Sequence, residues 1–465
     1  MNFVMPKNLL ICICWTGGNS FSHKMGGNDL KKKNKVNIIH LHIKVPKLKL
    51  GGKHEMGEKI LKLDSFFKQS DVFLDDTVFT NEWIPDCFLF RELEVKQIGQ
   101  CFADLIRGRP GHLYCNGLPS TGKTHIVKKA ALEFDEFCKA NRINAKCIYV
   151  TSSGKTVNVV CEKILNQFDP DAKTINYNIS LAFDKIASES KKYEYVVFIF
   201  DEIDKMRPTS RQQFGTEDNP INTLLSKIVR FKEEYNFLKS KIMIIVVSND
   251  TKLFRHLTQS ATSYFNPINM HFPAYDAVQL YQIFKERCKR GFLDGIIDDE
   301  QLQLFASRIF SGSKDVRTGL EILLQSGKAA ESNGTKKITK ENIKKAIELV
   351  EKNKLIETIL KLDDAEIAFL LSIAKSQMNK PDELVVSNVL FKNYEKIVNK
   401  YGLAKEQTRH LQHTVASKLD SIGLITTALT SRGYKKGVMK QFQIMGESLD
   451  EIIKICENEL QRRWG

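Results

Sequence analysis

The sequence lacks the patterns that mark metal-binding, membrane-spanning and secreted proteins. Its ten cysteines are scattered, with no C-x-x-C pair and no metal-ligand spacing, which favours a reducing compartment and buried cysteines that act as small apolar residues. No apolar run reaches the length of a membrane span. The apolar patch at residues 9–15 has no A-x-A-like cleavage site closely after it, so we expect neither a signal peptide nor a membrane partner.

Length and charge are typical of a soluble protein with several domains. A chain of 465 residues predicts two to four domains, and its 42% hydrophobic content is that of a globular protein. The formal net charge of +15 makes nucleic acid the first candidate partner, although a lysine coat that only improves solubility explains the same charge.

Residues 1–70 differ in composition from the rest of the chain. Gly-Gly pairs punctuate them, and a basic run comprises Lys31, Lys32, Lys33 and Lys35. We expect a mostly disordered basic arm, which either contacts DNA, directs nuclear import or has no function.

Residues 117–124 fit the phosphate-binding pattern G-x-x-x-x-G-K-[ST]. A short apolar run precedes them and a helix-compatible run follows, which is the strand–loop–helix context that the motif requires. Its glycines let backbone N–H groups turn towards phosphate oxygens, while Lys123 and Thr124 offer a charge to the phosphates and a hydroxyl to Mg²⁺. The predicted nucleotide-binding residues are Gly117, Leu118, Pro119, Ser120, Thr121, Gly122, Lys123, Thr124 and His125.

Apolar runs alternate with helical patterns up to residue 275. The runs at 195–200 and 241–247 are apolar on both faces, which is typical of central parallel strands. The alternation predicts a doubly wound α/β sheet in a core domain at 71–275. The predicted strands are 112–115, 146–151, 195–200, 241–247 and 269–272, and the predicted helices are 85–107, 125–134, 152–170 and 176–190.

The strand pattern stops at residue 276. Helical patterns predict a small helical domain at 276–352, with Thr339 as the N-cap of its last helix. A polar joint at 352–354 separates it from residues 355–465, where three helices and two strands predict a winged helix-turn-helix. The predicted helices are 276–289, 299–310, 314–331, 339–352, 363–377, 386–401 and 404–421, and the strands are 424–430 and 438–444.

Polar side chains at two strand ends and one helix start are the candidate catalytic residues. Asp201 is placed to hold Mg²⁺ and Glu202 to polarise the attacking water. Asn249 either bonds the γ-phosphate or the water, or is an ordinary turn residue. Arg317 either folds back onto the γ-phosphate or is a solvated residue on a helix face.

Together these motifs resemble the AAA+ ATPases and, more narrowly, the origin-recognition and cell-division-control initiators of archaea and eukaryotes. The narrower resemblance covers about residues 72–465 and includes the appended winged helix. Three further segments carry it: Trp83-Ile84-Pro85-Asp86 with Arg91-Glu92, His271-Phe272-Pro273-Ala274-Tyr275, and Lys314-Asp315-Val316-Arg317-Thr318-Gly319-Leu320.

The resemblance implies a role for each candidate residue. Lys123 and Thr124 match Walker A, Asp201 and Glu202 match Walker B, and Asn249, Arg317 and Pro85 match sensor one, sensor two and an adenine contact. It also implies that the phosphate-loop strand is central in the sheet. ATP and Mg²⁺ are the implied cofactors, and origin double-stranded DNA, other initiator subunits and the MCM helicase are the implied partners. The implied location is the nucleus, or the cytoplasm in an organism without one.

Two positions depart from the family. Ser120 stands where a glycine is common, which is tolerable if its φ is negative. The triplet Ser263-Tyr264-Phe265 stands where the family often carries an arginine finger for a neighbouring subunit, and a tyrosine cannot supply that charge.

The third C-terminal helix and the hairpin after it form the candidate DNA interface. A stripe of apolar residues (Leu411, Val415, Leu419 and Ile422) predicts the buried face of the helix. Its other side could reach base edges and phosphates, and the basic hairpin could enter a minor groove or grip phosphates, unless the winged helix docks a protein instead. The candidate DNA-binding residues are Lys405, Arg409, Gln412, Arg432, Tyr434, Lys435 and Lys436.

Two functions fit these patterns. One is an ATP-dependent replication initiator that binds origin DNA, helps to load the replicative MCM helicase and hydrolyses ATP slowly. The other is a non-hydrolysing, ATP-binding DNA- or protein-binding subunit of an origin-recognition assembly. A clamp-loader or DNA-repair ATPase is disfavoured by the C-terminal winged helix.

Overall fold

The computed structural model describes residues 70–170, 178–208, 219–378, 384–431, 438–444 and 448–465. The elements below all lie in one compact unit, Asp71–Gly465. The expected basic arm lies outside the described residues.

A five-stranded parallel sheet forms the centre of the core, in the order β2-β3-β4-β1-β5. The predicted α/β fold is therefore confirmed. The phosphate-loop strand β1 lies inside the sheet between β4 and β5, but β4 and not β1 occupies the middle position. The strands are β1 Leu113–Gly117, β2 Ala145–Thr151, β3 Tyr195–Asp201, β4 Lys241–Ser248 and β5 Ile268–Phe272.

Helices cover both faces of this sheet. Successive side chains of a strand point to opposite faces, and in the central strands the side chains on both faces are apolar. On β3, Phe198 packs in the cluster that contains α3, α4 and α5, whereas Val197 and Ile199 pack with α1 and α2 on the opposite face. The core helices are α1 Glu92–Ile106, α2 Lys123–Ala140, α3 Val157–Phe168, α4 Ile179–Ser190, α5 Pro220–Val229, α6 Phe231–Glu234 and α7 Gln259–Phe265.

Two helix predictions in the core are corrected. The helix expected from Pro85 begins only at Glu92, because Phe90 has a φ of 61° and cannot continue a right-handed helix. Helices α5 to α7 were not predicted. A signal for α5 exists, since Asn219 caps it, Pro220 stands at its first turn and buried residues follow at helical spacing.

Four helices form the lid, as predicted. Asp276 and Thr339 each close a capping box at the start of their helix, so the predicted N-cap at Thr339 is confirmed. The residues at 72–79 also pack in the lid cluster, through Val72 and Phe79, although they were assigned to the core. The lid helices are α8 Ala277–Gly291, α9 Asp299–Ser311, α10 Val316–Ser332 and α11 Lys340–Leu360.

The expected polar joint at 352–354 is wrong, because α11 runs through it without a break. Its first half buries Ile347 and Val350 in the lid, and its second half buries Leu355 and Ile359 in the C-terminal core. The polar residues between them belong to an exposed helix surface. The expected boundary between the helical and C-terminal domains therefore falls inside one helix that serves both.

The C-terminal region combines helices with a three-stranded antiparallel sheet in the order β6-β8-β7. The arrangement of three helical segments and a strand pair follows the prediction, with α16 added. Helix α16 was missed although Ile452, Cys456 and Leu460 are buried at i, i+4 and i+8. The elements are α12 Asp364–Gln377, β6 Val385–Val386, α13 Ser387–Tyr401, α14 Thr408–His410, a π-helical stretch Leu411–Val415, α15 Ala416–Ser421, β7 Thr426–Ser431, β8 Val438–Gln443 and α16 Leu449–Trp464.

The eight cysteines in the described residues are all free, and six of them are buried. The six buried cysteines act as the small apolar residues that the sequence predicted, whereas Cys87 is exposed and Cys147 is half-buried. Across the described part of the chain, none of the helices combines the length and the apolar character needed to cross a membrane.

Candidate nucleotide-binding site

The phosphate loop connects β1 to α2 and depends on backbone conformations with positive φ. Gly117 has a φ of 147°, and a Cβ at this position would lie 2.3 Å from the Phe272 carbonyl oxygen. Gly122, with a φ of 91°, immediately precedes α2. Ser120 has a φ of 60°, so the negative φ under which a serine would be tolerable at this position is not found. The serine sits in the left-handed region, where an L-residue is disfavoured.

Lys123 is the first residue of α2, and its side chain folds under the loop. It is only 5% exposed, and its Nζ donates to the carbonyl oxygens of Gly117 and Leu118 at 2.8 and 2.6 Å. Burial lowers the pKa of Lys123 to about 8, against the opposing effect of Asp201. Phosphate oxygens in the loop would favour the charged form of the lysine.

Asp201 lies at the end of β3 with three donors around its carboxylate. The Thr124 hydroxyl donates to Oδ2 at 3.0 Å and the Glu202 backbone N–H donates to Oδ1 at 2.9 Å. The third donor is the hydroxyl of Tyr149. Burial and the nearby Asp201 raise the pKa of Tyr149 above its usual range.

Sequence reasoning missed Tyr149. The neighbouring strands β2 and β3 are paired so that Thr151 lies opposite Asp201. This register brings the side chain of Tyr149, two residues earlier on β2, to the carboxyl edge of the sheet. Predicting it would have required the strand order and register, which apolar runs do not give.

The Thr124 hydroxyl and the Asp201 carboxylate are oxygen ligands of the kind that Mg²⁺ prefers. Among the described residues no cluster of three His, Cys, Asp or Glu side chains could hold a metal ion. The oxygens of Thr124 and Asp201 fit a magnesium ion shared with phosphate oxygens, because such an ion usually keeps several waters and few protein ligands.

Glu202 begins the short turn after β3, with a left-handed φ of 51°. Its carboxylate pairs with Lys205 Nζ at 2.5 Å, and both side chains face the cleft while remaining partly exposed. Asn249 also faces the cleft, and its backbone N–H donates to the Asp204 carboxylate at 3.1 Å. The turn after β3 thus fixes the end of β4.

The outer end of the cleft is aromatic and basic. Arg287 of the lid helix α8 stacks on Trp83, with 4.0 Å between its Cζ and the ring centroid. Burial lowers the pKa of Arg287 to about 10. His125 contacts the Asn81 carbonyl oxygen through Nε2 at 2.9 Å, and burial lowers its pKa. Neither Trp83 nor Arg287 was predicted as a site residue, although Trp83 lies beside the predicted Pro85.

The cleft brings together most of the predicted site residues from two parts of the unit. Arg317 reaches it from the start of α10 in the lid, where Asp315 caps the helix. Gly117 and Leu118 form the first part of the loop and supply carbonyl oxygens to Lys123. The predicted residues that line the cleft are Pro85, Pro119, Ser120, Thr121, Gly122, Lys123, Thr124, His125, Asp201, Glu202, Asn249 and Arg317.

The three predicted DNA-binding residues that the structure describes, Lys405, Arg409 and Gln412, lie in the C-terminal region and do not line the cleft. Lys405 stands in the loop before α14 and not on a helix, because the helix begins only at Thr408; its Nζ pairs with Glu395 at 2.7 Å. Arg409 is exposed, and the Gln412 carbonyl oxygen accepts from Lys440 Nζ at 2.9 Å. Arg432, Tyr434, Lys435 and Lys436 lie outside the described residues.

The apolar stripe of this helix is buried at Leu411, Val415 and Leu419. Ile422, predicted to extend it, is 42% exposed. The reason is that α15 ends at Ser421 and Gly423, with a φ of 77°, turns the chain away.

Family models match the two parts that build the cleft. Residues 113–266 match the ATPase family associated with various cellular activities (AAA), and residues 281–348 match the Cdc6 AAA+ ATPase-type lid domain. The chain therefore contains a region that matches the AAA family, followed by a region that matches a Cdc6-type lid. The resemblance to the origin-recognition and cell-division-control initiators is thereby confirmed.

Relatives of the chain match over almost their full length. The ORC1-type DNA replication protein 1 of Sulfurisphaera tokodaii is 24% identical over 88% of this chain and 100% of its own. The ORC1-type DNA replication protein of Desulfurococcus amylolyticus is 25% identical over 82% of this chain and 94% of its own.

Solved structures share the fold. The Aeropyrum pernix ORC1 protein, determined in complex with DNA, superposes with a TM-score of 0.72 and 20% identity over 85% of this chain and 98% of its own. The Drosophila ORC bound to DNA gives a TM-score of 0.51 and 19% identity over 87% of this chain and 96% of the compared chain.

Proposed function

We propose that this protein is an ATP-dependent initiator of DNA replication, which binds origin DNA and helps to recruit and load the MCM helicase. The observation that carries the proposal is the cleft itself. Core residues Lys123 and Asp201 meet Arg317 of a Cdc6-type lid in one cavity. The relatives named as ORC1-type DNA replication proteins, which match over nearly their whole length, support the choice among AAA+ functions.

The site residues divide the ATPase reaction among themselves. The loop N–H groups and Lys123 hold the β- and γ-phosphates, while Thr124 and Asp201 would hold Mg²⁺, which neutralises phosphate charge when bound. Glu202 accepts a proton from the attacking water as the bond between the γ-phosphorus and the bridging oxygen breaks. Arg317 stabilises the charge that develops on the γ-phosphoryl group, and Asn249 orients the water.

Slow hydrolysis is part of the proposal. The ion pair between Glu202 and Lys205 occupies one oxygen of the proposed base with an ammonium group. The attacking water must then use the other oxygen or displace the lysine, and either requirement restricts the arrangements in which the base can act. ATP would thus hold the lid against the core for a long interval, and hydrolysis would reset the complex.

The C-terminal region supplies the DNA contact in this proposal. Arg409 is exposed on α14, and the net charge of +15 favours a polyanionic partner. The solved relatives from Aeropyrum and Drosophila were each determined with DNA. We infer other initiator subunits and the MCM helicase as protein partners, and a nuclear location, or a cytoplasmic one in an organism without a nucleus.

A non-hydrolysing subunit of an origin-recognition assembly is the second candidate. It is favoured by Tyr264, which stands where the family often carries an arginine finger. The Tyr264 ring is covered by the guanidinium of Arg230, with 4.4 Å between Cζ and the ring centroid. A tyrosine in this position offers no charge to the ATP of a neighbouring subunit.

ATP turnover by the purified full chain, with and without duplex DNA, tests the proposal. We expect slow turnover that disappears in Glu202→Gln, together with salt-sensitive duplex binding. ATP binding without turnover would support the second candidate. Absence of either nucleotide binding or duplex binding would overturn the proposed function.

A further inference from the structure

Arg91 is a buried arginine at the junction of three segments. It precedes α1 and is only 2% exposed. Its guanidinium donates hydrogen bonds to backbone carbonyl oxygens, and its Nη1 lies 3.5 Å from Glu94 Oε1. An arginine is seldom buried without a specific set of partners, so the identity of these partners indicates its role.

The first two partners belong to segments far apart in the sequence. Nε donates to the Thr121 carbonyl oxygen in the phosphate loop at 3.1 Å, and Nη2 donates to the Pro273 carbonyl oxygen at 2.5 Å. Pro273 directly follows β5 and opens the four-residue connection between the sheet and the lid helix α8. One planar guanidinium therefore ties the phosphate loop to the hinge of the lid.

Tyr275, in the connection that leads to α8, packs on the same guanidinium. Its ring lies over the guanidinium, 4.1 Å from Arg91 Cζ to the ring centroid. A Cβ on Gly122 would lie 3.3 Å from the Tyr275 hydroxyl, so the phosphate loop also packs directly against this residue. The next residue, Asp276, caps α8.

We infer that Arg91 is a positioning residue that couples phosphate binding in the loop to the placement of the lid. Nucleotide phosphates order the loop that carries Thr121, and Arg91 transmits that order to Pro273 and Tyr275. The hinge in turn sets where α8 and Arg317 stand. This coupling rests on the proposed function, because it gives the lid a response to ATP.

Arg91→Lys tests the coupling, because lysine keeps the charge but lacks the planar fork that spans two carbonyl groups. Hydrogen exchange of α8 and of the phosphate loop is measured in the full chain with ATP and without it. We expect ATP to protect both segments in the wild type. In Arg91→Lys we expect protection of the loop to remain and protection of α8 to fall by at least about half.

Nucleotide affinities separate this role from a merely structural one. Arg91→Lys should reduce the preference for ATP over ADP at least about threefold while ADP affinity stays within about twofold, since ADP does not use the γ-phosphate contact of Arg317. Arg107→Lys, at an exposed arginine at the end of α1, is the matched control. Equal weakening of both nucleotides, or wild-type protection of α8, would overturn the inference.

Tyr275→Leu is the second variant and keeps the test decisive if Arg91→Lys does not fold. It removes the ring that covers the guanidinium, whereas Tyr275→Phe keeps the ring and removes only the hydroxyl. We expect the selective loss of ATP preference in the first and not in the second, and equal behaviour of the two would count against the inference. A wild type that binds no nucleotide would instead refute the proposed function.

Discussion

The nucleotide cleft and the predicted DNA-binding residues of the C-terminal region differ in how their charged side chains are held. In the cleft, Lys123 and Asp201 are nearly completely buried, and each is fixed by two or more hydrogen bonds. In the C-terminal region, Arg409 is exposed and Lys405 pairs with Glu395 at the surface. Buried charges need satisfied partners, whereas surface charges are free to reach a ligand.

This contrast explains what each region can do. The buried charges of the cleft are held by hydrogen bonds within the protein, so a small change in one of them should alter chemistry by orders of magnitude. The C-terminal surface contributes charges that a flexible side chain can bring to a phosphate, so each residue should contribute a modest and salt-dependent share.

Glu202→Gln should lower the rate of ATP hydrolysis by about 10²–10⁴-fold, since an amide cannot accept the proton of the attacking water. ATP affinity should change by less than about threefold, because the residue acts on water and not on the phosphates. Single-turnover hydrolysis and equilibrium nucleotide binding measure the two effects. Equal losses in binding and turnover would contradict the assignment of Glu202 as a base.

Lys123→Ala should weaken ATP binding by at least about 100-fold, because hydrogen bonds to charged groups contribute about 1.5–3 kcal/mol each. Calorimetric titration of the full chain is the measurement. Lys129→Ala, on the same helix at a lysine paired with Glu133, is the control and should bind ATP normally. Unchanged affinity in Lys123→Ala would remove this cleft as the nucleotide site.

ATP affinity should fall above about pH 8, by up to about tenfold per pH unit. Burial holds the pKa of Lys123 at about 8 in the free protein, and the phosphates bind its charged form. Below that pH the lysine is already protonated, so ATP affinity should change little through Lys123. Above it the lysine is neutral in the free protein, so ATP binding must take up a proton and becomes weaker. Affinities between about pH 7 and pH 10 check this, and Lys123→Arg should flatten the curve because arginine stays charged.

Much of the cleft was predictable from sequence because its parts are local. The loop at 117–124 and the acidic pair Asp201 and Glu202 each follow an apolar strand, so the pattern gives both the fold class and the edge where ligands bind. Ser120 shows the limit, since its positive φ is set by the whole loop and not by residue type.

The remaining features of the site depend on packing between distant segments. The hydrogen bond from Tyr149 to Asp201 exists only because β2 and β3 are neighbours in the sheet. The hydrogen bond from Arg91 to Pro273 joins residues that are 182 positions apart in the sequence. The continuous helix α11 was missed for a related reason, since polar residues at 352–354 resemble a joint until both ends are seen to be buried. In the C-terminal region, the helix start at Thr408 was likewise not visible in the apolar spacing.

The predicted hairpin tip should contribute mainly to affinity for DNA. Replacing Arg432, Lys435 and Lys436 together with alanine should reduce the slope of log affinity against log salt by about 0.9 per lost phosphate contact, up to about three units. Duplex binding across a salt series is the measurement. A triple lid variant with the same loss of charge, at exposed lysines, is the control: Lys336, Lys337 and Lys340 to alanine.

The helix residues should behave differently from the hairpin in the same experiment. Arg409 and Gln412 replaced together should flatten the preference among duplex sequences, if this helix enters the major groove. The hairpin variant should leave that preference nearly unchanged, because phosphate contacts position a protein without reading bases. A hairpin variant with wild-type affinity and slope would make the C-terminal region a protein-docking surface.

Lys205→Met should have the smallest effect on ATP hydrolysis, because the ion pair of Lys205 with Glu202 is partly exposed, as the charged residues of the C-terminal surface are. Lys205 and Glu202 are 49% and 33% exposed, and an exposed ion pair contributes no more than about 1 kcal/mol. Freeing Glu202 should therefore raise the rate of ATP hydrolysis by no more than about fivefold, with ATP affinity unchanged. Lys205→Arg, which keeps the pair, should hydrolyse ATP at the wild-type rate. A slower Lys205→Met would mean that the lysine orients Glu202 for proton transfer instead of restraining it, and slow turnover would then need another cause, such as the tyrosine at position 264.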